Sequence, residues 1–582
     1  MALRLTFRLP GWRLAAALLA AMSQALADDW RSSGLAQWFT ARPRPAGFTG
    51  EVRDFRSVAP EAAHTLLEGA GGNPWDRPSP SRAFAVALHR FDWLAPLLTT
   101  EDPAGGREAL RLVLDWRRTF GRWNRFSWSP DVMTRRVVNL ACAGGPLTER
   151  ASQAEALLIA ATLANQARSL LRQGGPADLA ARAAAAAIAG VALDGVAGRR
   201  LLERALRKLG PALDTAVEAD GGHRTRRADA ALDLLLDLMT LVAALQRRGS
   251  PPSEVIHRAM DRLSAAVRFF TLADGALSAQ QGGSPRTAAY VAAASSHDQI
   301  ETRAAALHCN GFHRLDSPAL QVVVDCAPPP VGPWSLASCA QPMGLEVLAA
   351  GRRLIAASSG RTLNAATALM VGDREIARPL SGFVGRALGE QLVGGAIQIE
   401  VQRHEGPGAV WLDIENHGWL KRFGVLHQRR LFLDTTLSEL RGEDRLTPTA
   451  KAQGPDGRHF VPYTLRFQLE PEVRALVSQD RRSVLLRLAG ASRGWILRND
   501  ILDIEVEPSR GPRRPSQQIV LRGQRRADSG ARVRWKLGPA ARARWDQTES
   551  SDPIVLDKFE LEPVFSLQIV PSEGNRLLPD PH

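Results

Sequence analysis

Leu320-Gln321-Val322-Val323-Val324-Asp325 is the stretch on which the fold reading turns. It follows Phe312-His313-Arg314-Leu315 across Asp316-Ser317-Pro318. The run is apolar, β-branched, short, and bounded by turn formers, so it reads as a strand. From about residue 300 onward the same signature recurs. Residues 345–349, 396–401, 410–414, 463–469, 484–488, 501–506, 518–521, 533–537 and 565–569 alternate or form short apolar runs between Gly, Pro and Asp. Many short strands without interleaved helices imply antiparallel sheets packed as a sandwich.

Upstream the period is helical. Between Pro78-Ser79-Pro80 and about residue 275, apolar residues recur at three- and four-residue spacing. The pattern predicts helices over 108–120, 151–171, 178–189, 199–209, 228–247 and 252–270, separated by breakers such as Gly174-Gly175-Pro176 and Gly249-Ser250-Pro251. Around Ala183–Ala187 and Leu234–Leu236 the helices are apolar nearly all round, which calls for burial on more than one side in a layered array. The expected division is an N-terminal segment over 1–45, a helical domain over 46–300 and a β domain over 301–582.

The chain has 582 residues, 45% hydrophobic and 23% charged, an ordinary globular composition that excludes a disordered or collagen-like polymer. Lys and Arg total 74 against 60 Asp and Glu, a formal net charge of +14. That excess favours an anionic partner: nucleic acid, anionic lipid or an acidic polysaccharide. Because the basic residues are spread evenly and form no stripe, nucleic acid is not expected. The four cysteines show no CxxC spacing and are expected to be small buried residues, a Cys309–Cys326 bridge being the one pairing considered. No metal and no cofactor is expected. P-loop, dinucleotide and HExxH patterns are absent from the sequence, and no GxSxG nucleophile elbow is expected.

Arg4, Arg8 and Arg13 precede an apolar run from Leu14 to Ala27 that closes on Ala25-Leu26-Ala27. Two readings stand: a secretory signal, which implies a periplasmic or cell-envelope address, or a first helix bearing Trp12, Leu14, Leu18, Leu19 and Met22. No segment has the ~18 uninterrupted apolar residues of an integral membrane span.

Several motifs stand out in a fixed order along the chain. They are Phe126-Ser127-Trp128-Ser129-Pro130 with Thr134-Arg135-Arg136, Asp220-Gly221-Gly222-His223-Arg224-Thr225-Arg226, and Asp274-Gly275-Ala276-Leu277 after Arg268-Phe269-Phe270. In the β half they are Phe312-His313-Arg314-Leu315, Asn416-His417-Gly418-Trp419, His427-Gln428-Arg429-Arg430-Leu431 and Gly442-Glu443-Asp444-Arg445-Leu446. Together, in this order, they resemble bacterial heparinase II/III-like proteins, over roughly residues 80 to 540. The resemblance implies an incomplete α/α toroid followed by an antiparallel β-sandwich, with an acidic polysaccharide between them and uronate cleavage by β-elimination. In that chemistry a base removes the C5 proton, a neutralised carboxylate makes the proton acidic, and an acid protonates the leaving oxygen.

The chain departs from the family pattern at the proton-handling positions. Ser338-Cys339-Ala340 and Ala365 stand where family members usually carry histidines. Ala228-Asp229-Ala230 stands where better-characterised lyases carry a tyrosine, and neither Tyr290 nor Tyr463 sits in a family motif. The alternative to a lyase is therefore a catalytically impaired polysaccharide-binding protein.

The candidate catalytic residues are His223, His417 and His427. His223 follows two glycines at a helix start and is expected to project into a cleft; His417 sits at a turn beside Asn416 and Trp419. His427 and Arg429 share one strand face by two-residue alternation. Asn139, Arg226, Arg227, Trp419 and Arg429 are the candidate substrate-binding residues. Arginine suits carboxylate and sulfate, asparagine a uronate carboxylate, and tryptophan a sugar ring. His223 is expected to face His417, His427 or Arg429 across one cleft between the domains, with positive charge concentrated there.

Overall fold

The computed structural model describes residues 11–540 apart from 37–41, 57–65, 69–72, 100–102, 296–305, 341, 359, 362–365, 373, 395–396, 450–459, 492, 501, 510–514 and 527. Position 365 and the strand expected over 565–569 lie outside the described residues.

Among the described residues the helical half ends with Ala288–Ser295, and every strand lies after residue 307. Leu179–Ala192 is the helix around which this half is organised. It packs against Pro130–Thr148, Gln153–Leu170, Gly195–Ala216 and Ala228–Arg247. Ala183 to Ala187 are fully buried, because a methyl side chain lets neighbouring helices approach from several sides. At Gly190 a Cβ would lie 2.6 Å from the backbone nitrogen of Leu202, so that crossing depends on glycine. The aromatic end of the same core is tied by Arg136. This fully buried guanidinium donates to His89 O, Ser127 O and Gln166 Oε1 and stacks 4.2 Å from the Trp116 ring.

Among the described residues the β half holds two large antiparallel sheets and a separate two-stranded pair, Ala377–Pro379 with Leu392–Gly394. One large sheet runs from His308–Cys309 through Phe312–Asp316, Leu320–Asp325, Leu345–Ala349, Arg352–Ala356, Phe460–Leu469 and Gln517–Arg526 to Ile504–Pro508, with Leu369–Val371 also on Phe460–Leu469. The other is ordered Val473–Val477, Ser483–Leu488, Trp495–Asn499, Ala531–Pro539, Glu439–Pro448, Val425–Asp434, Ala409–Asn416, Ile399–Gly406.

The molecule is layered as helices on sheet on sheet. Phe312, Val323 and Leu348 belong to the helical core, whereas Val322, Val324, Leu345 and Val347 belong to the sandwich core. This explains why Val322-Val323-Val324 does not alternate with polar residues: both faces of the strand are covered. Buried polar contacts fasten the domains. Glu346 accepts from Ser278 Oγ, Ala279 N and Gln280 Nε2, and Arg353 bridges Glu346 to Asp274.

Gly11–Ser32 is helical, with Ala17 buried against Leu380, Val384 and Ala387, and Gln24 Nε2 donating to Ala387 O. Its Trp12, Leu14, Leu18, Leu19, Met22, Leu26 and Trp30 are exposed. No helix among the described residues is long and apolar enough to cross a membrane. All four cysteines are free thiols, so the Cys309–Cys326 bridge is not formed.

Candidate functional site

A cavity of about 520 Å³ opens in the helical half, bounded by Asp54, Arg56, Arg135, Asn139, His223, Arg227, Asp233, Asp237, Arg286 and Tyr290 among others. Among the described residues, every one that lines it lies between positions 54 and 290.

His223 is brought to the wall by the turn joining Gly195–Ala216 to Ala228–Arg247, where Val217 and His223 form a β-bridge. The turn requires the preceding glycines. Gly221 has φ +91, and a Cβ there would meet Arg262 O at 2.0 Å, while one on Gly222 would strike Asn310. The His223 Nδ1 accepts the Thr225 backbone N–H at 3.3 Å and lies 2.7 Å from Thr225 Oγ1. A backbone N–H can only donate, so the ring proton resides on Nε2. Burial, reinforced by Arg227 and opposed by Asp229, pulls the imidazole pKa down to about 4. His223 is thus a neutral ring whose outer nitrogen donates. Trp334, from the β half, stands edge-on at 6.2 Å between ring centroids.

Tyr290 was not foreseen as a site residue. Its hydroxyl donates to Asp233 Oδ1 at 2.9 Å and accepts from Arg56 Nε at 2.8 Å. Burial pushes its pKa up to about 12 despite Arg56, so the phenol keeps its proton. Around it runs an ion network. Arg56 pairs with Asp54 at 3.1 Å and Asp237 at 2.7 Å, Arg135 with Asp54, and Arg286 with Asp233 at 2.6 Å. Burial alone would raise the Asp54 carboxyl, but Arg135 and Arg56 hold it well below the usual carboxylate range. Arg227 is bidentate on Asp229, at 3.0 and 2.6 Å.

The wall is therefore not a concentration of positive charge. Among the described residues of the wall, five arginines (56, 90, 135, 227, 286) face six aspartates (54, 92, 131, 178, 233, 237), a formal −1 in a chain of +14. The expectation of a basic cleft is not met in this cavity.

Of the expected site residues, the cavity brings together His223, Asn139 and Arg227. Asn139 Nδ2 donates to Arg90 O at 2.9 Å and Asp92 Oδ1 at 3.3 Å. Arg226, next to Arg227 in sequence, turns the other way at φ +57. It donates to Asp325 Oδ1 at 2.7 Å and to the carbonyls of Asn310, Gly311, Ala327 and Pro328. It is a clamp between the domains, with no donor left over for a substrate.

His427 and Arg429 share a strand face as expected, but that face is the sandwich interior. Both are 1% exposed and both bond to Asp444 Oδ1 at 2.8 Å, while Trp535 Nε1 donates to Asp444 Oδ2. Trp419 is likewise a core residue at 1% exposure, packed on Phe423. His417 stands by a different sheet edge, near Glu400 and Glu415. The expected meeting of His223 with His417, His427 or Arg429 does not occur: the sandwich turns two of them inward and carries the third elsewhere.

At the family's histidine position, Ser338, Cys339 and Ala340 are buried, and burial pushes the Cys339 thiol up, away from thiolate chemistry. The signal for Tyr290 was its rarity, one of two tyrosines in the chain. Arg56 and Asp237 gave no local signal, being 181 residues apart (237 − 56).

Residues 300–536 match the family model "Heparinase II/III-like, C-terminal". FtsZ-localized protein C of Caulobacter vibrioides (strain NA1000 / CB15N) is 44% identical over 566 residues, covering 92% of this chain and 97% of the relative. Among solved structures, heparinase III superposes with a TM-score of 0.63 at 14% identity, covering 90% of this chain and 92% of the other. A heparan sulfate lyase HepC mutant from Pedobacter heparinus gives 0.52 at 14% identity, covering 90% and 91%. At these identities the structural likeness concerns the fold: an α/α toroid followed by a β-sandwich.

Proposed function

This chain belongs to the heparinase II/III-like family, and from that premise we propose that it is a polysaccharide-binding protein on a lyase scaffold, holding a glycan in the toroid cavity without an efficient eliminating base. The observation that carries this reading is the protonation of the cavity. His223 presents N–H rather than a lone pair, and Tyr290 keeps its proton, which it donates in a hydrogen bond to Asp233. Elimination needs a group that accepts the C5 proton while a neighbour neutralises the uronate. The cavity arginines 56, 135, 227 and 286 are already engaged by aspartates. Donors of this kind suit hydroxyl, carbonyl and carboxylate oxygens of a sugar, and the near-balanced wall favours a glycan of low charge density over a heavily sulfated one.

The second reading is the lyase itself, acting by β-elimination on a uronic-acid polymer. It is favoured by one observation: His223 and Tyr290, an imidazole and a phenol, line the same cavity. One experiment separates the two. The full chain is incubated with a panel of uronic-acid polymers, and ultraviolet absorbance of the unsaturated product is followed beside binding by calorimetry. Binding that is lost in Asn139→Ala or His223→Ala, without absorbance change, supports the binding reading. Steady product formation abolished by His223→Ala refutes it in favour of the lyase.

The relative's name places it with FtsZ. Identity of 44% over 97% of that protein supports the same localisation with FtsZ here. A fluorescent fusion that coincides with FtsZ supports this; one spread through the periplasm independently of FtsZ favours the secreted reading.

A further inference from the structure

Glu400 and Glu415 occupy directly opposed positions on the neighbouring strands Ile399–Gly406 and Ala409–Asn416. Like charges facing each other across a ladder repel and destabilise it unless something offsets them. Among the described residues neither carboxylate is ion-paired to Lys or Arg. What faces them is an imidazole. His417 Nε2 lies 3.7 Å from Glu400 Oε1 and 3.9 Å from Glu415 Oε2, and it is a buried nitrogen with no hydrogen-bond partner.

The three groups are held from behind. Gln398 Nε2 donates to Glu400 Oε1 at 2.9 Å, and Gln428 Nε2 donates to Glu415 Oε1 at 2.7 Å, leaving Glu415 Oε2 turned toward the ring. The backbone N–H of His417 donates to Gln398 O at 3.0 Å, and the Asn416 side chain closes the turn by accepting from Gly418 N. Such outer contacts fix ligand orientation before an ion arrives. The two carboxylates also line a groove of about 340 Å³ on the outer face of this sheet, so solvent and ligands reach them.

We propose that Glu400, Glu415 and His417 form a divalent-cation site of the zinc class, separate from the toroid cavity and contrary to the sequence-based expectation of no metal. One imidazole and two carboxylates from fixed backbone form a three-ligand set with a position left open toward the groove. Metal–ligand bonds of about 2.0–2.1 Å place tetrahedral donors roughly 3.3–3.4 Å apart. The ligand atoms already lie within 4.8 Å of one another, and χ rotation of the two partly exposed glutamates closes the remaining gap, about 1.4 Å at most. The ion removes the repulsion between the carboxylates and gives the orphaned nitrogen its partner.

The test uses the full chain, stripped with chelator, free of any purification tag, and titrated with Zn²⁺ by calorimetry and with Co²⁺ by visible spectroscopy. One equivalent of Zn²⁺ should bind, and Co²⁺ should give the ligand-field absorption of a low-coordinate site. Glu415→Gln and His417→Ala should each weaken binding at least tenfold and lose the cobalt band, while their melting curves without metal stay close to the parent's. Glu400 is the more exposed carboxylate, so Glu400→Gln serves as a third variant in which folding is not at risk. No binding at millimolar Zn²⁺ overturns the proposal. Binding of equal strength in all three variants also overturns it, assigning the ion to other histidines or cysteines.

Discussion

Replacing Arg226 by Met tests whether this residue is a clamp between the domains rather than a substrate ligand. Methionine keeps most of the aliphatic stem and removes the guanidinium. Five hydrogen bonds disappear, four of them to carbonyls of the β half and one to Asp325 at 2.7 Å. Asp325 is fully buried and keeps Gln281 Nε2 and the Ala327 N–H. Breaking a buried pair from one side costs about 3–5 kcal/mol, because an uncompensated charge remains. Burial already raises the Asp325 carboxyl, with Arg226 as the main force holding it down. Without Arg226 it rises further, so the variant's deficit is largest at neutral and alkaline pH and shrinks on acidification, where Asp325 takes up a proton. Asp325→Asn in the Arg226→Met background should therefore recover a large part of the loss at pH 8. The assay is urea unfolding followed by tryptophan fluorescence at pH 5 and 8, with calorimetry to detect separate melting of the two domains. A variant within 1 kcal/mol of the parent, or a double variant no better than the single, would refute the clamp.

Three further outcomes are expected. His89 and His223 are buried, with pKa values drawn down from 6.5 to about 4, chiefly by burial. The unfolded chain thus binds protons that the folded chain refuses, and stability present above pH 6.5 is lost as pH falls toward 4, on the order of 3 kcal/mol for each ring. Asp92, Asp178 and Asp237, which burial raises, act in the opposite sense. The histidine share is accordingly read as the shallower acid slope of His223→Gln in urea titrations at pH 7 and 4.5; an unchanged slope contradicts it. Asp444→Asn should destabilise by about 3–5 kcal/mol, because it leaves Arg429 charged and unpaired in the sandwich core. Glycan affinity should not change, and a loss of affinity at unchanged stability would return His427 and Arg429 to the site. Gly442→Ala should cost at least about 1–3 kcal/mol, since the new Cβ would lie 2.1 Å from Trp535 Cε2 in a packed core; a neutral melting curve counts against the packing described.

The order of helices and strands and the all-round burial of Ala183–Ala187 were legible in the chain itself, because periodicity is a local property that a strand or helix must satisfy wherever it lies, and the family was legible through the resemblance of its motifs. Local cues also had limits. Pro211 lies inside the helix Gly195–Ala216, beyond the expected end at residue 209, because packing of the surrounding turns outweighs one lost hydrogen bond. Two-residue alternation put His427 and Arg429 on one face, correctly, yet could not say whether that face meets solvent or another sheet. Only the stacking of layers decides this, and it turned both toward Asp444. Arg226 and Arg227 are neighbours with the same side chain, and the left-handed backbone at Arg226 sends one to the domain interface and the other to the cavity. The cavity's charge balance was likewise out of reach of composition. A net +14 is a property of the whole surface, whereas the partners of Arg56, Arg135 and Arg286 are aspartates that only the closed toroid brings within hydrogen-bonding distance.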